Sequence, residues 1–280
     1  MYRILEKDYL NSTVARIVVD APLVARKAKP GQFIILRAKA DSKRMPLTVS
    51  AQNPEQGTVT VIYQVVGAGT MELDTLSAGD SLHDFVGPLG KPSDLEGLQK
   101  ACVVGGGVGC AIAYPIAKAL HEQGCAVHSV IGFRNKDLVL LEDEFRAVSD
   151  QLHIVTDDGS YGEKGLVTNA LESLIQAGNA YDRVIAIGPL PMMKFVSLLT
   201  KKHGIPTVVS MNSVMVDGTG MCGGCRLTVG GEIKFACVDG PEFDGHLVDF
   251  DEAASRARMY EEFETRARDE ACRLLNREED

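Results

Sequence analysis

Ala101-Cys102-Val103-Val104-Gly105-Gly106-Gly107-Val108-Gly109-Cys110-Ala111 passes from a short apolar, β-branched run through a cluster of glycines into an apolar stretch of helical composition. Glycine lets the backbone approach a pyrophosphate closely, and the helix N-terminus behind it offers unpaired N–H groups to the anion. A tight strand-to-helix turn would use the same residues with no ligand at all. The position of the loop, after a strand and before a helix, is the context that a dinucleotide site requires.

Downstream, apolar runs and helical patterns alternate: Ala126–Gly132 then Leu141–Val148, His153–Thr156 then Leu166–Ala177, Val184–Ile187 then Met192–Lys202, with a last strand over Thr207–Met211. That alternation predicts βαβ units and a parallel sheet, with ligands at the carboxyl ends of the strands. Two further turns fall at such ends, Asp157-Asp158-Gly159 and Gly188-Pro189. Each reads alone as an ordinary loop. The acidic residue expected at the end of the second strand is missing, because Phe133-Arg134-Asn135-Lys136 stands there. The usual ribose site is therefore altered, and NAD versus NADP stays open.

Upstream, Ala15–Val19, Gln32–Arg37, Leu47–Ser50, Thr58–Val65 and Ser81–Phe85 are short strand-like runs between Pro, Gly, Asn and Asp, which predicts an antiparallel barrel, with Pro88–Ser93 as linker. Arg44 and Thr48 bring a cation and a hydroxyl to one of these strands, and Gly69-Thr70 follows another. An Arg can clasp a pyrophosphate bidentately, and a strand can line a flat ring. The fold class is thus an antiparallel β-barrel plus a parallel-sheet α/β region, and the changes of rhythm divide the chain into 1–95, 96–212 and 213–280.

Composition sets the outer limits. The 280 residues are 45% hydrophobic and 24% charged with a formal charge of −9, which excludes disorder and argues against a nucleic-acid binder. The opening MYRILEKDYL carries no apolar leader and no run is long enough to span a bilayer, so a cytoplasmic protein is expected. Seven cysteines form an odd count that does not suit a disulfide framework. Cys102, Cys110, Cys125 and Cys272 lie on strand or helix patterns and read as packing.

The other three stand in Asp217-x4-Cys222-x2-Cys225-x11-Cys237, within a stretch over 215–240 too glycine-rich for strand or helix patterns. This overlays the plant-type ferredoxin spacing with Asp217 in the first cysteine's place. A structural zinc completed by Asp217 or His246 competes, although zinc ribbons pair two Cys-x2-Cys knuckles and this chain has one. Asp217 also suits a plain turn. From Asp251 the chain reads as helix, with Met259, Phe263, Ala267, Ala271 and Leu274 at three-to-four spacing.

Together these residues resemble the ferredoxin-reductase superfamily, in which a flavin-binding barrel precedes a nicotinamide-binding α/β domain and, in one branch, a C-terminal [2Fe–2S] lobe. The resemblance covers essentially the whole chain. It implies FAD contacts at Arg44, Pro46, Leu47, Thr48, Ile62, Tyr63, Gln64, Gly69 and Thr70, with Arg44 on the diphosphate and Thr48, the catalytic candidate, at the reactive flavin edge. It implies NAD(H) contacts, with NADP(H) not excluded, at Gly106, Gly107, Val108, Gly109, Asp157, Asp158, Gly188 and Pro189. Cluster ligands would be Asp217, Cys222, Cys225 and Cys237.

Within the superfamily, the pattern is similar to the electron-transfer subunits of dihydroorotate dehydrogenase B, of sulfide dehydrogenase and of the bifurcating NADH-dependent reduced ferredoxin:NADP+ oxidoreductase. Asp217 points to the small subunit of the last, or of sulfide dehydrogenase, because the dihydroorotate subunit carries four cysteines. The resemblance implies an oxidoreductase that works in a heterodimer with a larger flavo-iron-sulfur subunit. The rival from another class is a non-enzymatic nucleotide-binding redox sensor.

Overall fold

The computed structural model describes residues 2–278, and side chains as far as residue 273. The first sheet has seven strands: β1 (Tyr2–Asn11), β2 (Val14–Asp20), β3 (Phe33–Arg37), β4 (Met45–Asn53), β5 (Thr58–Gln64), β6 (Ser81–Leu82) and β7 (Asp84–Leu89), in the order β6-β1-β2-β5-β4-β3-β7. All its pairings are antiparallel, as the short turn-punctuated runs predict. Two short helices interrupt it, α1 (Pro22–Ala25) and α2 (Ala68–Asp74). Alternation of apolar and polar residues fills the barrel with Ile17, Val19, Ile34, Leu36, Val59, Val61 and Tyr63.

Three sequence expectations change here. Strand β1 was not expected; half its residues are polar and only Ile4 is buried, and antiparallel pairing with β2 rather than hydrophobic alternation holds it. The single run Ser81–Phe85 is split at His83, whose N–H turns away to the Arg37 and Ala38 carbonyls, so that β6 pairs with β1 and β7 with β3. Part of the expected linker is strand, since β7 continues through Pro88 and Leu89.

The second sheet begins with β8 (Lys100–Gly106), almost wholly buried, as a central parallel strand must be. There follow α3 (Cys110–Glu122), β9 (Ala126–Phe133), α4 (Glu142–Val148), β10 (Gln151–Thr156), β11 (Glu163–Lys164), α5 (Val167–Gln176), β12 (Arg183–Ile187), α6 (Leu190–Lys202) and β13 (Thr207–Ser210). The order β11-β10-β9-β8-β12-β13 reverses direction at β8. That reversal opens a crevice above the carboxyl end of β8, where the glycine loop lies.

The segment expected to be irregular contains a hairpin, β14 (Arg226–Val229) and β15 (Glu232–Phe235), joined by Gly230-Gly231, both at positive φ. A Gly-Gly pair between two four-residue runs is a hairpin signal that the density of glycines and cysteines obscured. Strand β16 (Glu242–Asp244) then pairs antiparallel with β13 and closes the edge of the second sheet. Its core is shared: Cys225, Leu227, Ala236, Cys237 and Phe243 pack in one cluster with Val184, Met193 and Val209.

The C-terminal helix is two helices, α7 (Phe250–Ala257) and α8 (Glu261–Glu278). Asp249 caps α7 by accepting from the Asp251 and Glu252 N–H groups, an arrangement worth about 1 kcal/mol. The apolar spacing does not make a buried stripe, because Met259 and Phe263 are exposed; Cys272 meets Met71 of α2, and the Leu274 side chain lies outside the described residues. Among the described residues, no helix is long and apolar enough to cross a membrane.

Candidate functional site

Between the two sheets lies a cavity of about 1320 Å³. Single small-molecule pockets run to roughly 300–1,000 Å³, so this one has room for more than one flat ring system. Strand β4 contributes Pro46, Leu47 and Thr48, and β5 contributes Ile62, Tyr63 and Gln64. The glycine turn contributes Gly106, Gly107, Val108 and Gly109, the end of β10 contributes Asp157, and the end of β12 contributes Gly188 and Pro189. Residues far apart in sequence thus meet on one concave wall.

The glycines differ in what they do. Gly107 has φ +55 with nothing near the place a Cβ would occupy, so it supplies a left-handed turn that opens on the cavity. Gly109 is needed for packing, since a Cβ there would stand 2.6 Å from the Ile187 carbonyl oxygen and 2.8 Å from the Gly188 Cα. Helix α3 starts directly behind them with no acidic residue in its first turn, so its N-terminal N–H groups favour an anion. Alternation along β5 sends the Tyr63 side chain into the barrel core, where its hydroxyl donates to Asp74 at 3.4 Å. Burial pushes that phenol above its usual range.

Four expected residues do not line this cavity. The Arg44 guanidinium donates through Nε to the Val216 carbonyl at 2.7 Å and through Nη2 to the Asp217 carbonyl at 3.4 Å. Thr70 accepts from the Val66 and Gly67 N–H groups at the start of α2, and Gly69 lies against the Met45 sulfur. The Asp158 carboxylate accepts from the Ser160 hydroxyl and N–H, which hold it below its ordinary value. Other lining residues carry no motif: Asn11 and Thr13 from the β1–β2 turn, and Met211, Asn212 and Met215 just past β13. Only the rule that ligands gather at strand carboxyl ends could have flagged the last three.

The cysteine loop forms two pairs. Cys225 and Cys237 are buried with sulfurs 3.2 Å apart, both as free thiols. Asp217 and Cys222 are joined by the Cys222 N–H, which donates to the Asp217 carboxylate at 2.9 Å, while the Thr219 N–H donates to its other oxygen. Gly218, Gly220 and Gly223 all have positive φ, which curls the loop back on itself. Among the described residues, no group of three or more His, Cys, Asp and Glu side chains closes on one point. A tetrahedral zinc needs a common point for four donors, whereas a two-iron cluster needs ligands two and two. The donor set therefore fits [2Fe–2S], with Asp217 and Cys222 as one pair and Cys225 and Cys237 as the other. Burial, followed by the bond to Cys225, pushes the Cys237 thiol above its ordinary value.

Comparison with known proteins finds an iron–sulfur domain over this stretch and full-length relatives. Residues 212–249 match the iron–sulfur cluster binding domain of dihydroorotate dehydrogenase B. The chain is 48% identical to a dihydroorotate dehydrogenase B (NAD(+)) electron transfer subunit homolog of Thermotoga maritima, over 93% of this chain and 92% of that one. It is 37% identical to the electron transfer subunit of that enzyme from Geobacillus thermodenitrificans, over 81% and 89%. Among solved structures it matches the NADH-dependent reduced ferredoxin-NADP oxidoreductase, studied for flavin-based electron bifurcation, with TM-score 0.92, 45% identity and 98% of both chains covered.

Proposed function

This chain belongs to the family of dihydroorotate dehydrogenase B electron-transfer subunits, built on the ferredoxin-reductase fold, and from that premise we propose that it serves flavin-based electron bifurcation between NADH, reduced ferredoxin and NADP+. It is an oxidoreductase subunit whose cofactor set is FAD, a [2Fe–2S] cluster and NAD(H), and it acts with a larger partner subunit. When bound, FAD exchanges a hydride with the nicotinamide and the cluster carries electrons one at a time.

We assign the parts of the chain as follows. Units 1–95, 96–212 and 213–280 bind flavin, nicotinamide and cluster respectively. Gly106, Gly107, Val108 and Gly109 take the NAD(H) pyrophosphate on the N-terminus of α3, while Asp157, Asp158, Gly188 and Pro189 border the rest of the nucleotide. Pro46, Leu47, Ile62 and Gln64 line the flavin ring, Tyr63 meets it only through its main chain, Thr48 sets a hydroxyl at its reactive edge, and Arg44 with Gly69 and Thr70 serves its diphosphate. Asp217, Cys222, Cys225 and Cys237 hold the cluster. A reducing cytoplasm suits cysteines that hold a metal centre rather than a disulfide framework.

One observation carries the bifurcating assignment, the 45% identity over 98% of both chains to a chain of the bifurcating oxidoreductase, and Asp217 where the plant-type spacing has cysteine accords with it. The iron–sulfur domain match and the relative from Geobacillus thermodenitrificans favour a second reading, electron transfer for dihydroorotate oxidation. Isolation with its large subunit decides between them. The first reading expects NADP+ reduction only when NADH and reduced ferredoxin are both present. NAD+ reduction driven by dihydroorotate would replace it with the second.

A further inference from the structure

Three guanidinium groups converge on the cysteine loop of a chain whose net charge is −9. Besides Arg44 on the Val216 and Asp217 carbonyls, Arg226 of β14 donates to the Gly223 carbonyl at 3.2 Å and Arg256 of α7 donates to the Gly224 carbonyl at 3.3 Å. Among the described residues, none of the three is within ion-pair distance of a carboxylate. Their contacts are all with main-chain oxygens around the sulfurs.

A trans peptide unit is rigid, and its C=O and N–H point to opposite sides. The Gly223 carbonyl accepts from the Arg226 guanidinium and, at 3.4 Å, from the Arg226 main-chain N–H; the Gly224 N–H faces the other way and meets the Cys222 sulfur at 3.4 Å. Arg256 draws out the next carbonyl and so points the Cys225 N–H to the side opposite the arginine. Both arginines line a cavity of about 240 Å³ together with Cys222; Arg256 is half-buried there and Arg226 is exposed. Hydrogen bonds to sulfur and local net charge are two of the factors that set an iron–sulfur potential.

We propose that Arg226 and Arg256 are positioning residues of the electron-relay centre: they orient the Gly223 and Gly224 peptide units toward the cysteine sulfurs, and their charge favours the reduced state. The proposal rests on the reading of this loop as a [2Fe–2S] site. Reduction adds negative charge, so loss of a neighbouring cation makes it less favourable and lowers the potential.

The test is an EPR-monitored redox titration of the purified flavo-iron-sulfur protein with iron, sulfide and flavin content measured alongside. Arg226→Gln and Arg256→Gln are expected to shift the cluster midpoint to more negative potential and to alter its g-values, with a larger shift in the double variant and unchanged flavin content. Lysine at either position should recover much of the potential but less of the g-values, since it keeps charge and loses the planar fork. Fully loaded Gln variants with unchanged potential and g-values would overturn the proposal. If the Gln variants lose iron, the Lys variants decide: restored cluster supports it, and cluster lost while flavin is retained assigns both arginines to lobe folding and overturns it. Wild-type protein without iron and sulfide would instead overturn the cluster reading itself.

Discussion

At the scale of single residues, the glycine loop combines two different requirements that one motif does not distinguish. Gly109→Ala would press a methyl group against the backbone of the β12 turn, and overpacking of this kind costs about 1–3 kcal/mol. Gly107→Ala meets no atom but must hold φ +55, at about 1–2 kcal/mol, and it alters the cavity wall proposed to take the pyrophosphate. We expect Gly109→Ala to lower the thermal midpoint more, and both to weaken NADH binding in an anaerobic titration. Equal, negligible effects would mean that the turn adapts freely. The loop was legible in sequence because glycine's freedom is a property of the residue itself. Arg44 was legible as a cation on a strand, but its bonds to Val216 and Asp217 depend on a contact across 172 positions that no local pattern encodes.

At the scale of elements, the βαβ rhythm was readable because the central parallel strands β8, β9 and β12 are buried on both faces, whereas β16 was not, because three residues carry no period. That short strand nevertheless brings Glu242 into a seam where the Ser93 hydroxyl donates to its carboxylate at 2.6 Å. Burial, opposed by the Ser93 bond and Arg183 and reinforced by Asp94, holds the Glu242 carboxyl above its ordinary value. A raised carboxyl favours the protonated fold, so its contribution is complete below the ordinary value and is lost as pH rises through the raised one. Thermal unfolding followed from about pH 4 to pH 8 should therefore show a decline in wild type that Glu242→Gln reduces. Ser93→Ala should cost about 1–3 kcal/mol, because it removes a partner from a buried polar group. An identical pH profile in Glu242→Gln and wild type would remove the seam from the stability of the fold.

At the scale of the whole molecule, the segment after β13 links the two halves of the site. Met211, Asn212 and Met215 line the large cavity, and the next residues, Val216 and Asp217, enter the cysteine loop under Arg44. The path from the large cavity to the cysteine loop is thus covalently short, and the two halves can be separated by mutation. Cys225 and Cys237 belong to the shared core, so replacing either would disturb packing as well as ligation. Cys222 is exposed, and Cys222→Ala removes the proposed ligand, leaving neither sulfur nor oxygen in its place, without opening a cavity. In this variant NADH should still bleach the flavin absorption under anaerobic conditions, because the cavity residues are untouched. Delivery of electrons to the large subunit should fall by an order of magnitude or more, with iron content reduced. If delivery continues at the wild-type rate after the cluster signal is lost, the electrons leave the flavin by a route other than this loop.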